Sequence, residues 1–161
     1  PFLTGRELTI LKFSGDAALA ESYIAAGSAE RRAILDDEVA SRPFPTPGQI
    51  GGVFGYQDSM GWFGTAADAC RALEWLMRDD EARAILTDSP LSPNRDLWPE
   101  LGFKGGSDDG VATAAWWMQA SDGRVYVAIV SLVNDTSDLD MGLVIDQMVL
   151  VRDGALALST D

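Results

Sequence analysis

The chain has 161 residues, 47% of them hydrophobic and 23% charged, with a net charge of -13, a pI near 4.2 and no histidine. That length and apolar share suffice for one domain with a packed core and exclude a disordered chain. The acidity argues against nucleic acid and anionic membrane surfaces as partners, since both need a basic face. Without histidine there is no Ser-His-Asp triad and no ordinary zinc set. The single Cys70 allows no internal disulfide. It lies in an amphipathic stretch, Ala66 to Arg78, and reads as a buried structural thiol rather than a nucleophile. No run is long and apolar enough to span a membrane, and no signal-peptide pattern is visible.

In chain order, Thr4-Gly5-Arg6-Glu7 has capping-box spacing and opens a helix through Phe13 with Leu8, Leu11 and Ile10 on its apolar side. Ser14-Gly15 stops it. A second helix is expected from Asp16 to Ala26. A third runs from Ala29 to Ala40, capped by Ser28 and turning Ile34, Leu35 and Val39 inward. Residues 41–64 hold three prolines and six glycines among Phe44, Phe54, Tyr56, Trp62 and Phe63. So long an irregular stretch with so many aromatics predicts a loop packed on something, either covering the core or lining a site. Thr65, with Asp68 three residues on, opens the next helix, whose Ala69, Leu73, Leu76 and Met77 fall on one face. A short helix over Asp80 to Leu86 follows, then a loop at Ser89 to Asn94.

Strands begin near Leu101. Val111 to Ala120 and Arg124 to Val133 are β-rich runs joined by Ser121-Asp122-Gly123, which reads as a hairpin. Both faces of the second run are apolar, so it expects cover on both sides. Trp116-Trp117 places one ring per face. A helix from Thr136 to Arg152, capped by Asn134, Asp135 or Thr136, offers Met141, Val144, Ile145, Met148 and Val149 as a stripe. Ser159-Thr160-Asp161 is a loose end. The fold class is α+β: helices first, then an antiparallel sheet of about three strands backed by a terminal helix.

Before the hairpin stands Gly102-Phe103-Lys104-Gly105-Gly106-Ser107-Asp108-Asp109-Gly110. Lysine precedes the glycines, so this is not a phosphate-binding P-loop. Asp135, Asp138 and Asp140 do not have calcium-loop spacing, and helix capping explains them more simply. Acidic groups such as Asp36-Asp37-Glu38 and Asp79-Asp80-Glu81 read as solvated helix faces. No cofactor and no metal site is indicated.

Lys104-Gly105-Gly106-Ser107 resembles the Lys-Ser/Thr-Gly strand motif of serine β-lactamases and penicillin-binding proteins, with Gly105 where that family usually has serine or threonine. The order of motif strand, hairpin, strand and terminal helix over residues 101–152 is similar to that family too. The resemblance implies that 1–161 is the C-terminal portion of one larger serine-hydrolase domain: 1–100 a helical part with loop 41–64, and 101–152 the motif strand, hairpin and helix. It implies acyl transfer or hydrolysis on an amide or ester, with a small or peptide-like substrate bearing an anionic group. Lys104 would hold that anion, Ser107 would offer a backbone N–H to an oxyanion, and Gly105 and Gly106 would let substrate approach. A cell-envelope or secreted setting follows from the resemblance alone.

The chemistry of that family needs a serine with a lysine one helical turn later. The only lysines are Lys12 and Lys104, preceded at the third position by Thr9 and Leu101, so the chain has no Ser-x-x-Lys. Nor does any Ser-Asp pair continue to Asn. The nucleophile is therefore expected upstream, and this chain alone is expected to be inactive. The alternative is a binding or scaffold domain of the same fold without chemistry. A narrow three-stranded sheet also expects further strands, from a missing N-terminal half or from a second copy by exchange.

Overall fold

Side-chain caps start most of the helices. In the computed structural model, which describes residues 2–88, 98–155 and 157, the Thr4 hydroxyl accepts the Glu7 N–H at 3.2 Å. The Glu7 carboxylate in turn accepts the Thr4 N–H at 2.6 Å. This box satisfies donors that helix α1 (Gly5–Phe13) would otherwise leave orphaned. Gly15, at φ +77°, makes the left-handed turn out of α1 that a side chain would resist. Asp16 then caps α2 (Ala17–Ala25) by accepting the Leu19 N–H at 3.1 Å.

Helix α3 (Ser28–Ile34) departs from expectation at both ends. Ser28 is its first helical residue and Gly27 takes the cap position, with no side-chain bond. Gly27 has the ordinary extended cap conformation (φ -74°, ψ 167°) that any residue can adopt, and Glu30 supplies negative charge in the first turn. Arg31 closes the preceding helix by donating to the Tyr23 and Ile24 carbonyls at 2.9 and 2.7 Å. After Ile34 the chain widens into a π-helical turn, Leu35–Val39, in which the Ala40 N–H reaches the Leu35 carbonyl at 2.9 Å. The wider turn keeps Leu35 and Val39 inward while Asp36, Asp37 and Glu38 face water.

The backbone divides into two compact units, Pro1–Phe63 with Asp135–Asp138, and Gly64–Asn134 with Leu139–Asp161. The core of the first is built on Ile10, Leu11, Leu19, Tyr23, Leu35 and Val39, joined by Met60 from the long loop. Leu8 contributes only partly, and Ile10 carries the face expected of it. The loop has one short 3-10 turn, Pro47–Gln49. Its aromatics pack less than expected: Tyr56 touches the core, but Phe44, Trp62 and Phe63 are each more than half exposed. The Trp62 indole N–H donates to the Leu3 carbonyl at 2.8 Å, which anchors the ring by its polar edge and leaves much of its surface in water.

The second unit opens with α4 (Ala66–Leu76) and α5 (Asp80–Thr87), started by Thr65 and Asp79. Strands β1 (Glu100–Asp108), β2 (Val111–Gln119) and β3 (Val125–Val133) form an antiparallel sheet in sequence order. Alternation gives β2 two working faces. Ala112, Ala114, Trp116 and Met118 are buried with Trp98, Leu101 and Ala128 against Val144 and Met148 of α6 (Met141–Gly154). Ala115, Trp117 and Val127 pack on the other side against Leu73 of α4, Met77 at its C-terminal cap and Leu86 of α5. The tryptophans therefore do divide between the faces. Arg83 of α5 pairs with Glu100 at the start of β1. The α+β class holds: six α-helices and a three-stranded antiparallel sheet among the described residues.

Helix α6 starts later than expected. Asp140 caps it, its Oδ1 accepting from Gly142 and Leu143 at 3.0 and 3.2 Å, and residues 134–139 are irregular. Its buried stripe is Val144, Met148 and Arg152, four residues apart, while Met141 and Ile145 are exposed and Val149 is half-buried. Cys70 is half-buried rather than buried. The expected loop over 89–94 and the tail 159–161 lie outside the described residues. Among those residues no helix is long and apolar enough to cross a membrane.

Two outcomes are expected. A Cβ at Gly102 would lie 2.8 Å from Met77 Sδ. Gly102→Ala should therefore cost about 1 kcal/mol in a urea melt, because the thioether must move inside a packed layer. The Thr65 hydroxyl and N–H, with Arg71 beside them, hold the Asp68 carboxyl below the ordinary carboxylate range. A depressed folded value means the stabilisation is present above the unfolded Asp value, about pH 4, and is lost as pH falls through the folded one. Thr65→Ala should lower the melting midpoint at neutral pH and flatten the acid limb below about pH 4. An unchanged acid limb would remove this box from the account.

Candidate functional site

The four motif residues lie on β1, which pairs with β2 alone among the described residues and so forms one edge of the sheet. The direction of its backbone groups follows from the other side of β2. The Ala120 N–H donates to the Arg124 carbonyl at 2.9 Å, and the Asn134 N–H donates to the Gly110 carbonyl at 2.7 Å. Even-numbered residues of β2 thus bond toward β3. In an antiparallel ladder the bonding direction alternates, so its odd-numbered residues bond toward β1. The register matches Val111 with Asp108, Thr113 with Gly106 and Ala115 with Lys104. Lys104, Gly106 and Asp108 are therefore the bonded positions. Phe103, Gly105 and Ser107 turn their N–H and C=O groups away from the sheet.

Lys104 is exposed, and its Nζ donates to the Gly105 carbonyl. That carbonyl is one of the outward-turned groups, so the ammonium bends over the open edge. Ser107 is exposed, and its N–H points to the same edge two residues along. The structure thus brings a cation and an outward amide to one strand edge.

The two glycines do different work. An ideal Cβ at Gly105 would lie 2.9 Å from the Phe103 ring, which leans on Trp116 with ring centres 5.5 Å apart. The space beside Gly105 is occupied by Phe103, and a hydroxyl residue there would have to displace that ring. At Gly106 no atom lies within 4 Å of the Cβ position. Gly106 is the one that leaves open room, on the face that also carries Lys104. Sequence reasoning passed over two neighbours on that face. Thr113 is the register partner of Gly106 and Ser131 that of Thr113, with their hydroxyls 3.1 Å apart. The signal was present, since Ser131 interrupts an otherwise apolar alternation.

Past Ser107 the chain reverses through Asp109 and Gly110, with Gly110 at φ +66° and the Asp109 N–H held by Asp108 Oδ1 at 2.9 Å. This turn sets the register that aims the edge. Among the described residues no group of three or more histidines, cysteines or acids is placed to hold a metal ion. The arrangement offers hydrogen-bond donors and one positive charge to an extended, anionic guest. It does not by itself offer a nucleophile activated by a base.

No protein-family model matches the chain, and comparison with curated proteins returns no match.

Amide hydrogen exchange checks the parity of the edge. Lys104 and Gly106 amides should exchange about tenfold or more slowly relative to those of Gly105 and Ser107, which lack a ladder partner. A Ser107 amide as protected as that of Gly106 would mean the donor faces inward.

Proposed function

We propose that this chain is the C-terminal portion of a β-lactamase-like serine hydrolase domain, acting by acyl transfer on an amide or ester. The observation that carries this reading is the outward Ser107 N–H on an edge strand whose Lys104 ammonium bends over the same edge. The order of edge strand, hairpin, third strand and covering helix agrees with it. A serine oxygen from upstream of Pro1 attacks the substrate carbonyl, and the carbon–nitrogen or carbon–oxygen bond to the leaving group breaks. The leaving group departs with a proton, and water later cleaves the serine ester. Within that sequence Ser107 N–H stabilises the oxyanion, a donor typically worth about 3 kcal/mol in the transition state. Lys104 holds the substrate's anionic group. Gly106 gives the substrate backbone room to lie along the strand.

The test uses the longer gene product that includes the residues before Pro1. A fluorescent β-lactam or activated ester should leave an acyl mass on an upstream serine. Lys104→Ala should reduce labelling by an anionic substrate about tenfold or more, and that by a neutral ester much less. A full-length protein that takes no acyl group from either reagent overturns the enzymatic reading.

A second reading is a binding domain of the same architecture without chemistry. One observation favours it: the 161 residues contain no Ser-x-x-Lys. In that case Lys104→Ala weakens an anionic ligand measured by calorimetry, and no variant changes a turnover rate. Undiminished affinity in Lys104→Ala would exclude it.

A further inference from the structure

The layer under α6 holds an imbalance that the layer under α4 and α5 lacks. Trp98 is wholly buried and Trp116 is 1% exposed, yet neither indole Nε1–H has an acceptor among the described residues. The Tyr126 hydroxyl is sealed from solvent and unpartnered in the same way. Trp98 meets the Tyr126 ring at 59° with centres 5.9 Å apart, an aromatic contact that supplies no oxygen to the indole hydrogen. Trp116 and Tyr126 share one face of the sheet, since the register sets Trp116 opposite Ala128 and Met118 opposite Tyr126. All three side chains belong to the cluster that Val144 and Met148 of α6 close. Among the described residues no other buried side-chain nitrogen or oxygen is orphaned.

A donor that gives up water and is buried unpaired favours the open arrangement by a factor of about five or more. Three such losses lie under one helix, and that helix sets little against them. Of its 14 residues only Val144, Met148 and Arg152 are buried, and Arg152 pairs with Asp153 on the same helix. Leu143, Leu150 and Val151 are already exposed, so opening costs them nothing. Residues 134–139 before the helix are irregular, and a hinge there breaks no other element. We propose that α6 is a lid. It lifts from the sheet as a unit before the domain unfolds, and lifting lets water bond the Trp98 and Trp116 indoles and the Tyr126 hydroxyl. The inference does not use the hydrolytic reading, because Lys104 and Gly106 lie on the opposite face of the sheet.

Native-state hydrogen exchange of the 161-residue chain reads the opening. The amides of Met148 and Val149 and the indole hydrogens of Trp98 and Trp116 should exchange together. They should do so about tenfold or more faster than the amides of Ala114 and Ala115 in the central strand, and with a weaker dependence on urea. The indoles separate a lifted helix from one that merely frays, since fraying leaves them covered. Tyr126→Phe removes one orphaned donor and keeps the ring that packs on Trp98. It should slow exchange of α6 and of both indoles about fivefold or more, because the closed layer then buries one donor fewer. Helix amides that exchange only at the rate and urea dependence of Ala114 and Ala115 overturn the proposal. So does exchange that Tyr126→Phe leaves unchanged or speeds, because the hydroxyl would then be satisfied in the closed layer.

Discussion

The alternating bond direction across β2 is the constraint on which the second unit depends. Each residue of an antiparallel strand commits its N–H and C=O to one neighbour, and the next residue commits to the other. Two turns set that commitment. At the β1–β2 end, Gly110 at φ +66° leaves Asp109 and Gly110 in the loop. At the β2–β3 end the Gly123 N–H donates to the Ala120 carbonyl and Gly123 sits at φ +86°. A slip of one residue at either turn would reverse every outward amide and exchange the two faces of the sheet. The Ser107 donor, the open backbone of β3 and the burial of Trp116 are thus consequences of one register.

Packing enforces the register from both sides. Trp116 and Met118 lie under α6, and Trp117 lies against α4 and α5. Shifting β2 by one residue would push a tryptophan sized for one layer into the other, and interiors packed to crystal density resist such exchange. Gly102 shows how close the fit is, since Met77 fills the volume its side chain would take. The same closeness explains Gly105, where the Phe103 ring takes up the room. Of the two glycines after Lys104, one serves packing and the other leaves space.

Electrostatics sets the scale on which Lys104 acts. The chain carries a net charge of -13, so its distant field repels anions and slows their approach. At physiological salt that field is screened over about 8 Å, and a guest at the β1 edge responds to its nearest charges. There the ammonium lies against the Gly105 carbonyl, with Asp108 and Asp109 further along the hairpin. Recognition of an anion at this edge therefore rests on short contacts to Lys104 and the outward amides rather than on long-range steering.

The sequence by itself determined what is local or periodic. Capping boxes placed α1 and α4, the Asp-Gly turn made the hairpin, and the period-two pattern divided Trp116 from Trp117, because each depends on residues a few positions apart. It also exposed the lack of a Ser-x-x-Lys, which the residues three before Lys12 and Lys104 settle. Tertiary structure decided the rest. The sequence offered Asn134, Asp135 and Thr136 as starts for the last helix, and Asp140 caps it instead. The broad stripe drawn on that helix narrowed to Val144, Met148 and Arg152, because burial depends on where neighbouring layers stand. Lys104 and Ser107 were visible as a motif, but only the ladder from Ala120 and Asn134 across to Gly106 shows that Ser107 turns its amide outward. A one-dimensional pattern specifies which side of a strand is apolar; it does not say which neighbour takes each backbone hydrogen.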